Sequence, residues 1–106
     1  MSATRLYDKP IDLEIRDEDT EEWTQALHLH ARVNNASADV RLRAGASEDT
    51  LVRTFDVRYC ASLEPVKLSP QLYRVLYRDG VYRVRGADDF EERHETVRIT
   101  GERYDG

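Results

Sequence analysis

The chain has little cysteine, little lysine and no long apolar run. Its single cysteine, Cys60, excludes an intrachain disulfide and cannot build a metal site alone, so an intracellular, reducing origin is the simplest expectation. No stretch approaches the ~18 apolar residues of a transmembrane helix, and the first residues lack the apolar segment of a signal peptide. We expect a soluble protein that is not exported by that route and has no membrane partner.

Motifs for catalysis are also missing. The five glycines are scattered over turns, and no GxGxxG or GxxxxGK pattern is present to hold a phosphate. No serine lies in a nucleophile elbow, and Cys60 has no local catalytic signature. Acidic pairs such as Asp88 and Asp89 alternate in direction, so their carboxylates do not converge as a general acid and base. The sequence therefore predicts neither an enzyme nor a cofactor.

Three histidines raise the question of a metal site. His28 and His30 are separated by one residue, which places them on the same face of a predicted strand, and His94 is the third candidate. Zinc requires three or four ligands at defined positions, and an i, i+2 pair specifies only two of them. We predict no metal site and favour a solvated or interface pair of histidines.

Basic charge is in deficit, and it is unevenly distributed. With 16 basic and 21 acidic residues the net charge is -5, which argues against general affinity for nucleic-acid phosphates. Residues 12–22 and 86–95 are acidic, whereas residues 73–86 carry four arginines against one acid. All but two of the basic residues are arginine, which favours bidentate pairing with carboxylates. This pattern predicts contacts between copies, basic patch to acidic patch.

Alternating apolar and polar residues predict a mainly β fold. The alternation occupies residues 11–16, 27–33, 55–59, 73–77, 81–85 and 97–100. About six strands joined by short turns indicate a small antiparallel β-barrel or sandwich over residues 11–100, after an arm (1–10) and before a tail (101–106). Residues 61–70 are predicted to form a loop. Residues 36–44, between the second and third strands, fit a short helix or a further strand equally well.

The residues from 73 to 86 predict a hairpin and its register. Asp79-Gly80 suits a two-residue type I′ turn, which places Arg74 directly opposite Arg85. One face is then apolar and the other carries the arginines. The predicted core face consists of Tyr73, Val75, Tyr77, Tyr82 and Val84.

Opposed arginines need an explanation because like charges directly opposite each other destabilise a sheet. Three are open: a solvated face paired with nearby carboxylates, an interface with an acidic segment of another subunit, or nucleic-acid binding. We favour the interface, in which Arg74 and Arg85 predict a neighbour that carries carboxylates. The aromatic residues lie on the opposite face, which argues against a stacking platform for bases.

The order of these features resembles that of the phage head-tail joining proteins, also called head-closure or stopper proteins, and their gene transfer agent equivalents. The resemblance runs from residue 11 to residue 100. It rests on Trp23, on the strand ending Leu-His-Ala-Arg-Val (29–33), on Thr-Phe-Asp-Val-Arg-Tyr (54–59), and on the hairpin with its acidic connection (73–89).

The resemblance implies a structural protein of the virion neck, assembled in the bacterial host cytoplasm. It implies a homo-oligomeric ring of six or twelve copies between a portal or adaptor protein and a tail terminator or tail tube protein. Such a ring retains the packaged double-stranded DNA without sequence specificity and provides the tail attachment surface. The alternatives are a tail terminator or adaptor, or a free-standing small-barrel binding module.

Two sets of candidate residues follow. The charge pattern assigns the subunit interface to Arg74, Arg78, Arg83, Arg85, Asp88, Asp89 and Glu91. The resemblance implies a channel or gating loop within residues 34–53, whose polar members are Asn34, Asn35, Asp39, Arg41, Arg43, Glu48 and Asp49.

Overall fold

The fold is a closed antiparallel barrel. The computed structural model describes residues 7–43, 45, 50–78, 80–89 and 92–104. Within them the strands follow the order β1-β2-β3-β6-β5-β4, and β4 pairs with β1 to close the sheet. The predicted mainly β fold is confirmed, as a barrel. The strands are β1 (Lys9–Arg16), β2 (Trp23–Asn35), β3 (Val52–Arg58), β4 (Tyr73–Tyr77), β5 (Gly80–Asp89) and β6 (Thr96–Arg103).

Two short helices connect strands. Helix α1 (Ala38–Arg43) lies between β2 and β3, so the helix is the correct choice of the two left open there. Helix α2 (Glu64–Leu68) lies between β3 and β4, flanked by single 3-10 turns at Ala61–Leu63 and Pro70–Leu72. The loop predicted at residues 61–70 was therefore wrong. Leu63 and Val66 are fully buried three residues apart, a spacing that places both on one helical face.

Inward-facing residues of the strands fill the barrel. Phe55 is fully buried in β3, and its ring meets the edges of Tyr77 and Tyr82 at centroid distances of 5.9 and 5.3 Å. T-shaped contacts at this separation are favourable because the positive edge of one ring meets the negative face of the other. The other core residues are Ile11, Leu13, Ala31, Val57, Leu63, Val66, Tyr73, Val75, Val84, Val97 and Ile99.

The hairpin has the predicted core face but a different register. Tyr73, Val75, Tyr77, Tyr82 and Val84 are all buried. The observed pairs are Tyr77 with Gly80, Val75 with Tyr82 and Arg74 with Arg83. The prediction that Arg74 lies opposite Arg85 was therefore wrong, and the observed register is shifted by two residues. Because side chains in a strand alternate with a period of two, this shift leaves every side chain on its predicted face.

The shift arises at the turn. Gly80 is paired within β5, so it is not a turn residue, and Arg78 adopts a positive φ of 53°. The other predicted turn residue, Asp79, lies outside the described residues. The barrel also extends past the boundaries inferred from the sequence, since β1 begins at Lys9 and β6 continues to Arg103.

Gly101 in β6 permits a close contact with the core. A Cβ added there would lie 2.9 Å from Cβ of Tyr82 and 3.1 Å from Cε2 of Phe55.

We expect Gly101→Ala to lower the free energy of unfolding by about 1–3 kcal/mol, because overpacking displaces core side chains. Urea denaturation measures this. Gly86→Ala is the matched control, since its Cβ would meet nothing within 4 Å. Equal destabilisation by both substitutions would contradict the packing argument.

Candidate functional site

A groove rich in arginine runs over the outer face of the hairpin. It has a volume of about 530 Å³ and is bordered by four arginines, two aromatic rings, Glu21 and Gln71. The arginines are Arg16, Arg74, Arg83 and Arg85, and the rings are those of Trp23 and Tyr104. We call this feature the arginine groove. Three of the predicted interface residues therefore line one surface.

Arg74 is held by partners from its own chain. Its Nε donates to Oε1 of Glu14 at 2.7 Å, and its Nη1 donates to the hydroxyl of Tyr104 at 3.3 Å. The guanidinium also lies 4.2 Å from the centre of the Trp23 ring, within the range of a cation–π interaction. Although burial alone would lower it, the hydrogen bonds to Tyr104 and Glu14 raise the pKa of Arg74 above its usual value.

The other hairpin arginines differ in how they are satisfied. Arg85 forms an ion pair with Glu102 at 3.2 Å. Arg83 is exposed and stacks on the ring of Tyr104 at 4.7 Å, without an ion pair to any carboxylate among the residues that the structure describes. Arg78 is exposed and stacks on Tyr77 at 5.3 Å.

Neighbouring carboxylates explain how the sheet tolerates Arg74 opposite Arg83. Register places Glu14, Arg74, Arg83 and Glu102 side by side across β1, β4, β5 and β6. The two arginines are therefore flanked by a carboxylate on each side. The carboxylates that the sequence led us to expect from a neighbour are supplied to Arg74 and Arg85 by the same chain.

Arg16 adds an unsatisfied donor to the groove. Its Nε is buried and has no hydrogen-bond partner within the described part of the chain. A buried donor without a partner costs about 1–3 kcal/mol. An atom this buried is out of reach of an incoming group, whereas the side chain of Arg83 is exposed. Sequence analysis did not single out Arg16, because its place beside the hairpin depends on the pairing of β1 with β4.

One end of the barrel is acidic. Because the strands are antiparallel, residues 17–22, 59–72 and 92–95 lie at one end, and residues 36–43, 50–51 and Arg78 lie at the other. The first end, the acidic end, carries five exposed acids within residues 17–22 alone. The second, the helix end, carries Arg41, Arg43 and Arg78, but its two connections also contain the acids Asp39, Glu48, Asp49 and Asp79, of which the last three lie outside the described residues.

The proposed gating residues lie at the helix end or just before it. Asn34 and Asn35 end β2, and Asp39, Arg41 and Arg43 lie on α1. Helix α1 has no buried residue, and Leu42 is 79% exposed, so the helix packs only lightly against the barrel. Nη1 of Arg41 donates to the carbonyl of Thr50 at 2.6 Å. Glu48 and Asp49 lie outside the described residues.

Comparison with protein families decides the assignment. The family model described as phage head completion protein matches residues 12–103, which include all six strands and both helices in whole or in large part. The chain belongs to the phage head completion protein family. A search of curated proteins returned no match. The suspected resemblance is therefore confirmed at the level of the family, and the chain is a structural component of the phage virion.

No helix in the described part of this head completion protein is long and apolar enough to span a membrane.

The predicted histidine pair is present on β2. Nδ1 of His28 lies 2.6 Å from Oδ1 of Asp12, and the His28 and His30 rings form a T-shaped contact with centroids 5.5 Å apart. His94 instead packs on Tyr59 with ring centroids 4.2 Å apart.

The acidic candidates of the head completion protein differ in exposure. Asp88 is exposed and pairs in register with Arg98. Asp89 ends β5, and its side chain is only 1% exposed. Both residues lie within β5, which continues to Asp89, so the first part of the acidic segment 86–95 is strand rather than connection. Glu91 lies outside the described residues.

Asp89 is the centre of a polar cluster that sequence reasoning missed. Its carboxylate accepts hydrogen bonds from the backbone N–H of His94 at 3.0 Å and lies 2.7 Å from its Nδ1. Lys67 lies 3.5 Å from Asp89 and 3.1 Å from Glu64, so it links α2 to the end of β5. The only sequence signal was the i, i+3 pairing of Glu64 with Lys67.

This cluster contains the described residues best placed to hold a metal ion. Ligand atoms of Glu64, Asp89 and His94 lie within 4.8 Å of one another. The ammonium of Lys67 already contacts both carboxylates, and its positive charge disfavours a cation there. The arrangement suits a structural link, which also holds His94 at its positive φ of 58°.

Acid should weaken this link. Burial alone would raise the pKa of Asp89, but the hydrogen bonds from His94 and the charges of His94 and Lys67 hold it below its usual value of 3.8. A carboxyl whose pKa is lower in the folded state stabilises the fold above its unfolded pKa, and this contribution is lost as the pH falls through the folded pKa. We therefore expect stability to decline as the pH falls below about 5.

Asp89→Asn should reduce stability at neutral pH and flatten its decline in acid. Urea unfolding between about pH 3 and pH 7 measures both effects. Asp88→Asn is the matched control. Asp88 is exposed, so the free energy of unfolding of this variant should depend on pH as it does in the wild type. An unchanged acid slope in Asp89→Asn would show that other carboxyl groups control the acid transition.

Proposed function

We propose that this head completion protein acts as a stopper in the virion neck. Copies form a ring between the portal or adaptor protein and the tail terminator or tail tube protein. The ring retains the packaged DNA and provides the surface to which the tail attaches. Family membership supports the head-completion role.

The arginine groove supplies a contact between copies. Arg74 and Arg85 are held by Glu14 and Glu102, so they shape the groove. Arg83 is exposed and has no ion pair among the described residues, so it is left to receive an anion. Exposed acids at the acidic end of a neighbouring copy have the complementary charge. A ring uses two different patches on each subunit, and this pairing provides them.

Helix α1 and the adjoining residues 34–53 are proposed as the segment that reaches the channel. The helix has no buried residue, so moving it costs little core packing. Arg41 and Arg43 are its basic residues and Asp39 is its acid. The net charge of -5 favours a chain that blocks DNA mechanically rather than one that binds the duplex tightly.

Particles assembled without this protein should lose their DNA. Filled heads that lack it are expected to release packaged DNA to an external nuclease and to fail to join tails, and purified protein should restore both properties. Nuclease protection and electron microscopy of the joined particles measure the two outcomes. Retained DNA with failed tail joining would favour a tail terminator instead. Normal particles without the protein would contradict the proposal.

Charge reversal at the groove should disrupt assembly of the ring. We expect Arg83→Glu to reduce ring formation at least about tenfold, corresponding to the loss of about 1.4 kcal/mol of contact energy. Sedimentation or electron microscopy of the assembled particles measures this. Lys9→Glu is the matched control, because Lys9 is a partly exposed cation at the opposite end of β1 from Arg16.

Compensating substitutions identify the acidic partner. Arg83→Glu is combined with Glu18→Arg in one protein and with Glu92→Arg in another, since both acids are exposed at the acidic end. If ring formation recovers in one of the two double variants, the acid replaced in that variant lies in the segment that contacts Arg83. Unimpaired ring formation by Arg83→Glu alone would refute this contact.

A further inference from the structure

Part of β2 has a free edge although the sheet is closed. β1 pairs with β2 from Trp23 to Ala31, whereas β3 pairs with β2 only from Ala31 to Asn35. Within the described residues, 23–30 therefore have a paired strand on one side only. Closed barrels normally remove strand edges, which otherwise pair with other chains. This stretch keeps such an edge, as do residues 9–11 of β1 and 84–89 of β5, and it is the longest stretch within one strand.

The backbone groups on the free edge can be identified. Ala36 N–H donates to the carbonyl of Val52 at 2.9 Å, which shows that Ala36 directs its backbone polar groups toward β3. These groups alternate sides along a strand, so His28 and His30, which precede Ala36 without a register shift between them, point the same way. His28 thus directs its N–H and C=O to the free edge. Leu27 and Leu29 direct theirs to β1, with which both residues pair.

A pocket of about 520 Å³ opens beside this edge. Leu29 faces the core yet remains partly exposed to the pocket, so it offers an apolar surface to an incoming side chain. The backbone of an added strand could pair with His28 while one of its side chains fills the pocket. The lining residues are Tyr7, Asp8, His28, Leu29, His30 and Arg58.

Charge at the two ends of the edge limits what can bind there. Residues 17–22, immediately before β2, carry five exposed carboxylates and no base. Arg58 is exposed at the other end, where β3 stops. A strand with a basic residue near Trp23 and an acidic residue near Arg58 would match both ends.

We propose that β2 accepts an added strand from another protein of the neck. The occupant is an extended segment that is basic at one end and acidic at the other. It pairs with the backbone of His28 and places an apolar side chain against Leu29. Main-chain hydrogen bonds give affinity in this mode of recognition, and side-chain pockets give specificity. The inference rests on the proposed function and identifies one contact within it.

Two substitutions at one position separate the backbone from the side chain. His28→Pro removes the N–H that faces the free edge and leaves the β1 pairing intact, since proline is tolerated at strand edges. His28→Ala removes the imidazole and its bond to Asp12 but keeps the N–H. We expect His28→Pro to enter completed particles at least about tenfold less than wild type, and His28→Ala, which removes only one of the side chains that line the pocket, to be reduced less than about threefold.

Incorporation is measured by complementing particles that lack the protein. Equal incorporation of both variants overturns the inference and leaves the proposed function standing. Equal loss in both assigns the contact to the imidazole and also overturns the inference. Failure of the wild-type protein to enter particles overturns the proposed function and the inference together.

Hydrogen exchange of the wild-type protein decides the matter if His28→Pro does not fold. In the free protein the amide of His28 should exchange rapidly, and in completed particles it should slow by about 100-fold. The amides of Leu27 and Leu29 should change little, because they are directed to β1 in both states. An unprotected His28 amide in particles, or equal new protection at all three residues, overturns the inference.

Discussion

The pairing of β1 with β4 is the constraint on which the other features depend. It joins residues far apart in the chain, such as Leu13 and Val75, and converts an open sheet into a barrel. The same pairing brings Glu14 to Arg74 at 2.7 Å and thereby lets two arginines lie opposite each other. Without it, Glu102 on the β6 side would be the remaining carboxylate next to the opposed arginines in the register.

Closure also explains why charge is organised as it is. An antiparallel barrel with an even number of strands sends alternate connections to opposite ends, so acidic residues 17–22 and 92–95 share one end and α1 lies at the other. The hairpin arginines then occupy the side wall, where Arg74 and Arg85 are neutralised internally. One small domain thus presents two dissimilar ends and a lateral groove, an arrangement suited to the head-completion family.

The sheet is sheared enough that part of β2 is paired on one side only. β2 is 13 residues long, but β3 has only seven, so β3 cannot cover it along its whole length. Segment 61–72 does not continue β3, because burial of Leu63 and Val66 makes it helical. The free edge at His28 and the burial of the α2 segment in the core are consequences of the same topology.

The sequence determined the strands, the core face of the hairpin and the family, because apolar alternation and residue order are local properties. It could not determine the hairpin register, since a shift of two residues preserves every face and only pairing with β1 and β6 distinguishes the alternatives. Nor could it foresee the partners of Arg74 or the enclosure of Asp89, because Glu14 and Lys67 are distant in sequence. The tertiary structure alone decides which charges are satisfied within the chain, and it leaves Arg83 exposed against the ring of Tyr104.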